Sequence, residues 1–248
     1  MATTPAEAGR EDFGPSLPQL LGPRLRALRP WQRALLAFAI LALVAAGVAL
    51  AIRSAAAVNT YTQNTQNAEA RGLAPIPFNF DYSSKMKRRQ PDDAYVVVER
   101  KINGTLAGSF TVSELELDTR LAQGLIAGFM PIVATRHEKQ AARTYTGFRL
   151  AFEGRARVNE VEGYQFAFTA KLVQPGKTTR QLFGRVVMLP EPYDTSDPEK
   201  PYPPGERPTR GLMITMLATT LDHIPSATRV GDEGILQRPF RSFRFGTG

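Results

Sequence analysis

The sequence predicts an α+β fold, an antiparallel sheet packed with one or two helices and preceded by a single transmembrane helix. Three observations carry this. Residues 34–52 form an uninterrupted uncharged, apolar run between Arg33 and Arg53. Several later stretches alternate apolar and polar residues, the period of a half-buried strand. One stretch, 114–130, instead repeats large apolar residues every four positions, the period of a helix face.

As a helix, 34–52 would be roughly 28 Å long at about 1.5 Å per residue, the thickness of a bilayer's hydrocarbon. Only a helix lets a single open segment cross there, because lipid offers backbone N–H and C=O groups no partner. Arg24, Arg26, Arg29 and Arg33 crowd the N-terminal flank, whereas after Arg53 the next cation is Arg71. Positive flanks stay inside, so the chain is expected in the plasma membrane with a cytoplasmic N-terminus and an extracytoplasmic C-terminal domain. Trp31 suits the headgroup layer, and Arg33 and Arg53 flank it as interfacial cations. The rival reading is a cleaved signal peptide, for which Ser54-Ala55-Ala56-Ala57 supplies small residues. A signal peptide's apolar core is shorter, about 7–15 residues, and lies nearer the terminus.

The expected division is therefore a Pro-rich disordered cytoplasmic tail over 1–33, the span over 34–52, a stalk over 53–75 and a folded domain over 76–248. The 248 residues include no cysteine, which excludes a disulfide framework, thiolate catalysis and Cys-ligated metal. The net charge is +8. Its outer part favours the lipid bilayer and an anionic envelope component or envelope protein as partners, and nucleic acid is not expected outside the cell.

Along the domain, Phe78-Asn79-Phe80-Asp81-Tyr82 reads as the opening strand. Lys85, Lys87, Arg88 and Arg89 follow as a solvated basic cluster, a candidate contact surface able to hold the domain against a membrane surface. Tyr95–Ile102 and Thr105–Val112 flank Asn103-Gly104, a pair that tolerates the positive φ of a type I′ turn, so a two-residue hairpin is expected. An unbroken ladder from that turn would set Val97 opposite Phe110 and Tyr95 opposite Val112 on the core face. Leu117, Leu121, Leu125 and Phe129 predict a helix from Glu114 to Met130, capped by Asp118 and stopped by Pro131. Phe148–Glu153 and Tyr164–Leu172 read as amphipathic strands, and Phe183–Leu189 as a central strand covered on both faces. Residues 190–208, dense in proline, form an exposed loop, with Tyr193 and Tyr202 as candidate contact residues. Gly211–Leu221 reads as a buried strand. The closing Phe240-Arg241-Ser242-Phe243-Arg244-Phe245 reads as an element that buries its rings and solvates its arginines.

This order of elements, with the Phe-Asn-Phe-Asp-Tyr opening, Gly163-Tyr164-Gln165-Phe166 and the Phe-Arg-Ser-Phe-Arg-Phe close, resembles the PsbP-like group over roughly residues 76–246. That group is an α/β/α sandwich on an antiparallel sheet and includes actinobacterial envelope lipoproteins. Ser83-Ser84-Lys85-Met86 stands where the group has Pro-x-x-Trp. The resemblance implies a non-catalytic domain that binds or helps assemble partners, and it carries over no catalytic residues.

Catalytic motifs are incomplete. Ser84-x-x-Lys87 lacks the partner motifs of penicillin-binding proteins, and Gly176-Lys177-Thr178 lacks the first glycine of a P-loop. The two histidines, His137 and His223, stand isolated in the sequence and read as surface decoration rather than as part of a metal site, which needs three or four ligands. The expectation is a membrane-anchored extracytoplasmic binding or scaffold domain with no cofactor. The alternative is an anchored or secreted hydrolase using His223, beside Asp222, or His137.

Overall fold

The structure, a computed structural model, describes residues 29, 31, 32, 35, 38–45, 57–117, 126–203 and 206–246. The chain divides into two compact units, Met1–Ala56 and Ala57–Gly248. In the first, residues 31, 32, 35 and 38–45 are helical. Phe38, Ile40, Leu41, Leu43 and Val44 are all exposed there, as are Arg29 and Trp31. Among the described residues no helix is long and apolar enough to cross a membrane. Part of the expected span, together with Arg24, Arg26, Arg33 and Arg53, lies outside them.

The second unit is α+β, with two antiparallel sheets. Its first strand, β1 (Val58–Gln63), pairs with β2 (Phe78–Ser83), and the two-residue β10 (Arg244–Phe245) pairs with the other edge of β2. The larger sheet has β3 (Lys87–Arg89), β4 (Val96–Ile102), β5 (Thr105–Glu116), β6 (Arg149–Val158), β7 (Val161–Leu172), β8 (Arg180–Pro190) and β9 (Arg210–Thr219), in the order β3-β4-β5-β9-β8-β7-β6. Among the described residues three helices accompany them: α1 (Thr65–Glu69), α2 (Ile126–Thr144) and α3 (Gln237–Ser242).

Each face of the large sheet buries its own core. Val96, Val98, Phe110, Val112, Val187 and Ile214 face the small sheet and the C-terminal segment. Phe166, Phe168, Leu182, Val186 and Met188 face α2, which contributes Phe129, Met130, Val133 and Ala134. β8 supplies both cores, so the reading of 183–189 as a central strand covered on both sides holds. Gly211–Leu221 likewise supplies the buried strand β9, between β5 and β8. Among the described residues, every member of both cores lies within 57–248.

The structure corrects four expectations. Residues 58–75 are not a stalk. Tyr61, Ala68 and Ala74 are buried, and Arg71 donates hydrogen bonds to the carbonyls of Tyr95, Pro91 and Ala94 at 2.9, 2.6 and 2.8 Å, which laces this stretch to the segment leading into β4. The two-residue turn forms as expected, with Asn103 and Gly104 at φ 50° and 71°. A β-bulge beyond Lys101 then shifts the register by one, so Val98 faces Phe110 and Val96 faces Val112. The slip puts both apolar sets on one face, where an unbroken ladder would have set Val98 opposite Ser109.

Glu114–Glu116 belong to β5, not to a helix, because the ladder to β9 runs on through Glu116 and Leu115 is fully buried. The helix instead includes Ile126–Thr144, with Pro131 inside it; Leu121, Leu125 and Asp118 lie outside the described residues. Finally, a bulge in β6 leaves Leu150 and Phe152 about half exposed at the sheet edge, where the alternation would have buried them.

Candidate functional site

The C-terminal segment builds a strongly charged concavity. After β9 the chain makes short 3₁₀ turns at Thr220–Asp222, Ala227–Arg229 and Gly234–Leu236 before α3 and β10. Phe240, Phe243 and Phe245 bury their rings, Phe243 against Phe78 with centroids 5.6 Å apart. That burial turns Arg238, Arg241 and Arg244 outward, all three exposed. The arginine–phenylalanine alternation read from the sequence is thus borne out, but the arginines do more than meet solvent. With Lys85 from the β2–β3 turn and Arg100 from β4, they line an open cleft of about 650 Å³.

Local hydrogen bonds hold this wall in place. The Ser242 hydroxyl accepts from the Asp81 N–H and donates to the Arg238 carbonyl, both at 2.8 Å, tying α3 to β2. Asn79 donates to the Gly246 carbonyl at 3.0 Å. Arg185 anchors the segment from below. It donates to Gln165 Oε1 at 2.8 Å and to the Val230 carbonyl at 3.0 Å, meets Asp232 at 3.1 Å, and lies 4.7 Å from the Phe240 ring centre.

Among the described residues, Asp222 is the only acid in the cleft lining, and it is engaged. Its Oδ2 accepts the Ile235 N–H at 2.9 Å, and its Oδ1 lies 3.6 Å from Arg100. Burial pushes the Asp222 carboxyl up, against the Ile235 N–H, Arg100 and His223, which favour its charged form. Gly234 must be glycine here, because its φ is +70° and a Cβ would collide with the Asp222 carboxylate. Among the described residues, Lys85, Arg238, Arg241 and Arg244 have no carboxylate within ion-pair distance. Four uncompensated cations therefore face one volume, with a fifth half-engaged.

The candidates singled out in the sequence are divided by the fold. Lys85 joins the cleft. Lys87, Arg88 and Arg89 lie on β3, the outer edge strand of the large sheet, where Arg89 pairs with Glu99 at 3.0 Å and Arg88 sits 5.8 Å from the Tyr61 ring centre. Tyr193 and Tyr202 meet edge to face at 5.4 Å within the Pro-rich loop, and Tyr202 donates to the Glu191 carbonyl at 2.7 Å. Burial first, with Glu191 beside it, pushes the Tyr202 hydroxyl up to about 12. Tyr193, Lys200, Pro75 and Pro77 line a separate recess of about 570 Å³, and none of Lys85, Lys87, Arg88 and Arg89 lines it.

The two histidines sit on different elements, α2 and the 3₁₀ turn after β9. His137 is half-buried on α2, where burial and then Arg136 lower its pKa. His223 is exposed and takes a left-handed φ of 57° to end a 3₁₀ turn. Neither hydrogen-bonds a serine among the described residues. No group of three or more His, Cys, Asp or Glu among them could hold a metal ion.

Arg100, Arg238, Arg241 and Arg244 were not read together as a site from the sequence. The signal for two of them, Arg241 and Arg244, was the Phe-Arg alternation, and Arg238 lies just before it. Nothing in the sequence links it to Lys85 or Arg100.

No family model and no curated protein matches the chain. Among solved structures it is similar to the solution structure of cyanobacterial PsbP (CyanoP) from Synechocystis sp. PCC 6803. The identity is 12 %, over 77 % of this chain and 94 % of that chain, with a TM-score of 0.42. The PsbP-like resemblance read from the order of elements thus meets a PsbP structure in the comparison. A likeness of that size says nothing of function.

Proposed function

We propose that this chain is a membrane-anchored, extracytoplasmic binding or scaffold domain, non-catalytic, whose partner in the envelope presents negative charge to the basic cleft. One observation carries the reading: Lys85, Arg100, Arg238, Arg241 and Arg244 converge on a single cleft whose one acid, Asp222, is already engaged. Like charges crowded on one wall repel, and the field they sum to raises the local concentration of anions. Four of the five are arginines, whose planar guanidinium forks match carboxylate, phosphate or sulfate oxygens two at a time. The anchor rests on the apolar run 34–52 and on the arginine asymmetry about it.

Retention on immobilised dextran sulfate tests the reading. The full chain in mild detergent is expected to elute at clearly higher salt than the triple variant Arg238→Ala, Arg241→Ala, Arg244→Ala. Co-elution of the two proteins would remove the cleft as the contact surface. The aromatic residues that fold this segment are untouched in the variant, so its circular dichroism should match the parent's.

A further inference from the structure

We propose that the cleft binds the phosphodiester of anionic lipid headgroups in the membrane that anchors this chain. The proposal rests on the anion-binding reading above and names the anion.

Three observations converge on it. The cleft adjoins the point where the folded domain begins: Ser83, in its wall, pairs with Val58, the first residue of β1, and the Ser84 N–H donates to the Ala57 carbonyl at 3.1 Å. Only residues 53–57 separate Val58 from Ile52, where the apolar run ends. Six residue steps reach at most about 21 Å even when fully extended. Chain length alone therefore keeps Val58, which pairs with Ser83 of the cleft wall, within that distance of the end of the apolar run, and an anionic headgroup layer is the source of negative charge nearest at hand.

The chemistry of the wall agrees. Arg238 and Arg241 stand three apart on α3, so they are neighbours on its surface, with Arg244 three residues further on β10. The arrangement offers several guanidinium forks to phosphate oxygens, and none of these arginines is paired with a carboxylate among the described residues. Ile235 is the one apolar side chain in the lining and is half-buried. The contact is therefore electrostatic, made with headgroups and without insertion into the acyl region.

Vesicle binding by residues 57–248, the compact unit in which both described cores lie, tests the proposal. The probes are vesicles of phosphatidylcholine alone and vesicles containing phosphatidylglycerol. Binding is expected only to the anionic vesicles, and it should fall steeply with added salt. Each arginine removed should weaken it about fivefold, and the Arg238/Arg241/Arg244→Ala variant roughly a hundredfold. Replacing the same three residues by lysine should keep most of the binding, which separates loss of charge from loss of fold. Equal binding to both vesicle types, or a triple alanine variant that binds as the parent does, would overturn the proposal. So would excess inorganic phosphate that empties the anionic vesicles at an ionic strength where chloride does not, which would mark a site for free phosphate. Arginine-dependent retention on dextran sulfate without vesicle binding overturns the headgroup assignment and keeps the anion-binding reading. Failure on both matrices removes both.

Discussion

Arg185 is the residue on which the cleft's foundation depends, and Arg185→Met measures how much. Its guanidinium is largely buried, with 13 % of the side chain exposed, whereas the Asp232 side chain is 43 % exposed. The methionine leaves Gln165 Oε1 and the Val230 carbonyl without their donor, at about 1–3 kcal/mol each for a buried polar group. It also removes a desolvated cation–π contact with Phe240, about 1–2 kcal/mol. Against this stands the relief of desolvation, because burial of Arg185 already weighs against its charged form. The net expectation is a loss of about 3–4 kcal/mol. Asp232→Asn, which removes only a water-accessible charge, should cost under about 1 kcal/mol. Urea unfolding of residues 57–248 reads both, as a shift in midpoint at unchanged slope. The loosened C-terminal segment should also weaken anion binding in Arg185→Met while Asp232→Asn keeps it. The reasoning is refuted if the two variants lose equal stability, because the ion pair and not the buried hydrogen bonds would then be the main contribution.

Two further expectations concern other parts of the chain. Glu138, on α2, is raised to about 7 by burial and by the neighbouring Glu153 carboxyl, so the folded state holds its proton more tightly than the unfolded chain. The stability this contributes is complete below about pH 4.5 and is lost as pH rises to about 7. Glu138→Gln should therefore stabilise the domain by about 1 kcal/mol at pH 8, a figure discounted for partial exposure, and by nothing at pH 4. Thermal melts at the two pH values check it, and an equal gain at both would refute it. The chain has no cysteine, so Thr178→Cys, on the exposed turn between β7 and β8, gives a single label site. An impermeant thiol reagent should label it in intact cells, and labelling only after lysis would overturn the expected topology.

What was legible in the sequence was local. Asn103-Gly104 demands positive φ whatever surrounds it, and the turn formed where expected. The alternation of Phe78, Phe80 and Tyr82 is a property of one strand, and all three rings are buried. The same logic failed where a distant partner decides. Leu117 shares helical spacing with Phe129, yet β9 recruits residues up to Glu116 into the sheet, and ladder pairing outweighs a period shared across two elements. The polar run 58–67 has no strong alternation. It folds because β2 offers an edge and Arg71 finds three carbonyls.

The sequence by itself determined the class of the fold, the type of the hairpin turn, and the burial of the C-terminal rings with their arginines outward. These follow from backbone dihedral preference and side-chain periodicity, which act over a few residues. Only the tertiary structure decided that a bulge would bring Val96 and Val98 onto the same face as Phe110 and Val112. It also decided that Lys85, Arg100 and Arg244 would border one cleft, with Asp222 held by the Ile235 N–H. Charges so far apart in the chain meet only after the strands between them have paired, and no pattern of short period records that meeting.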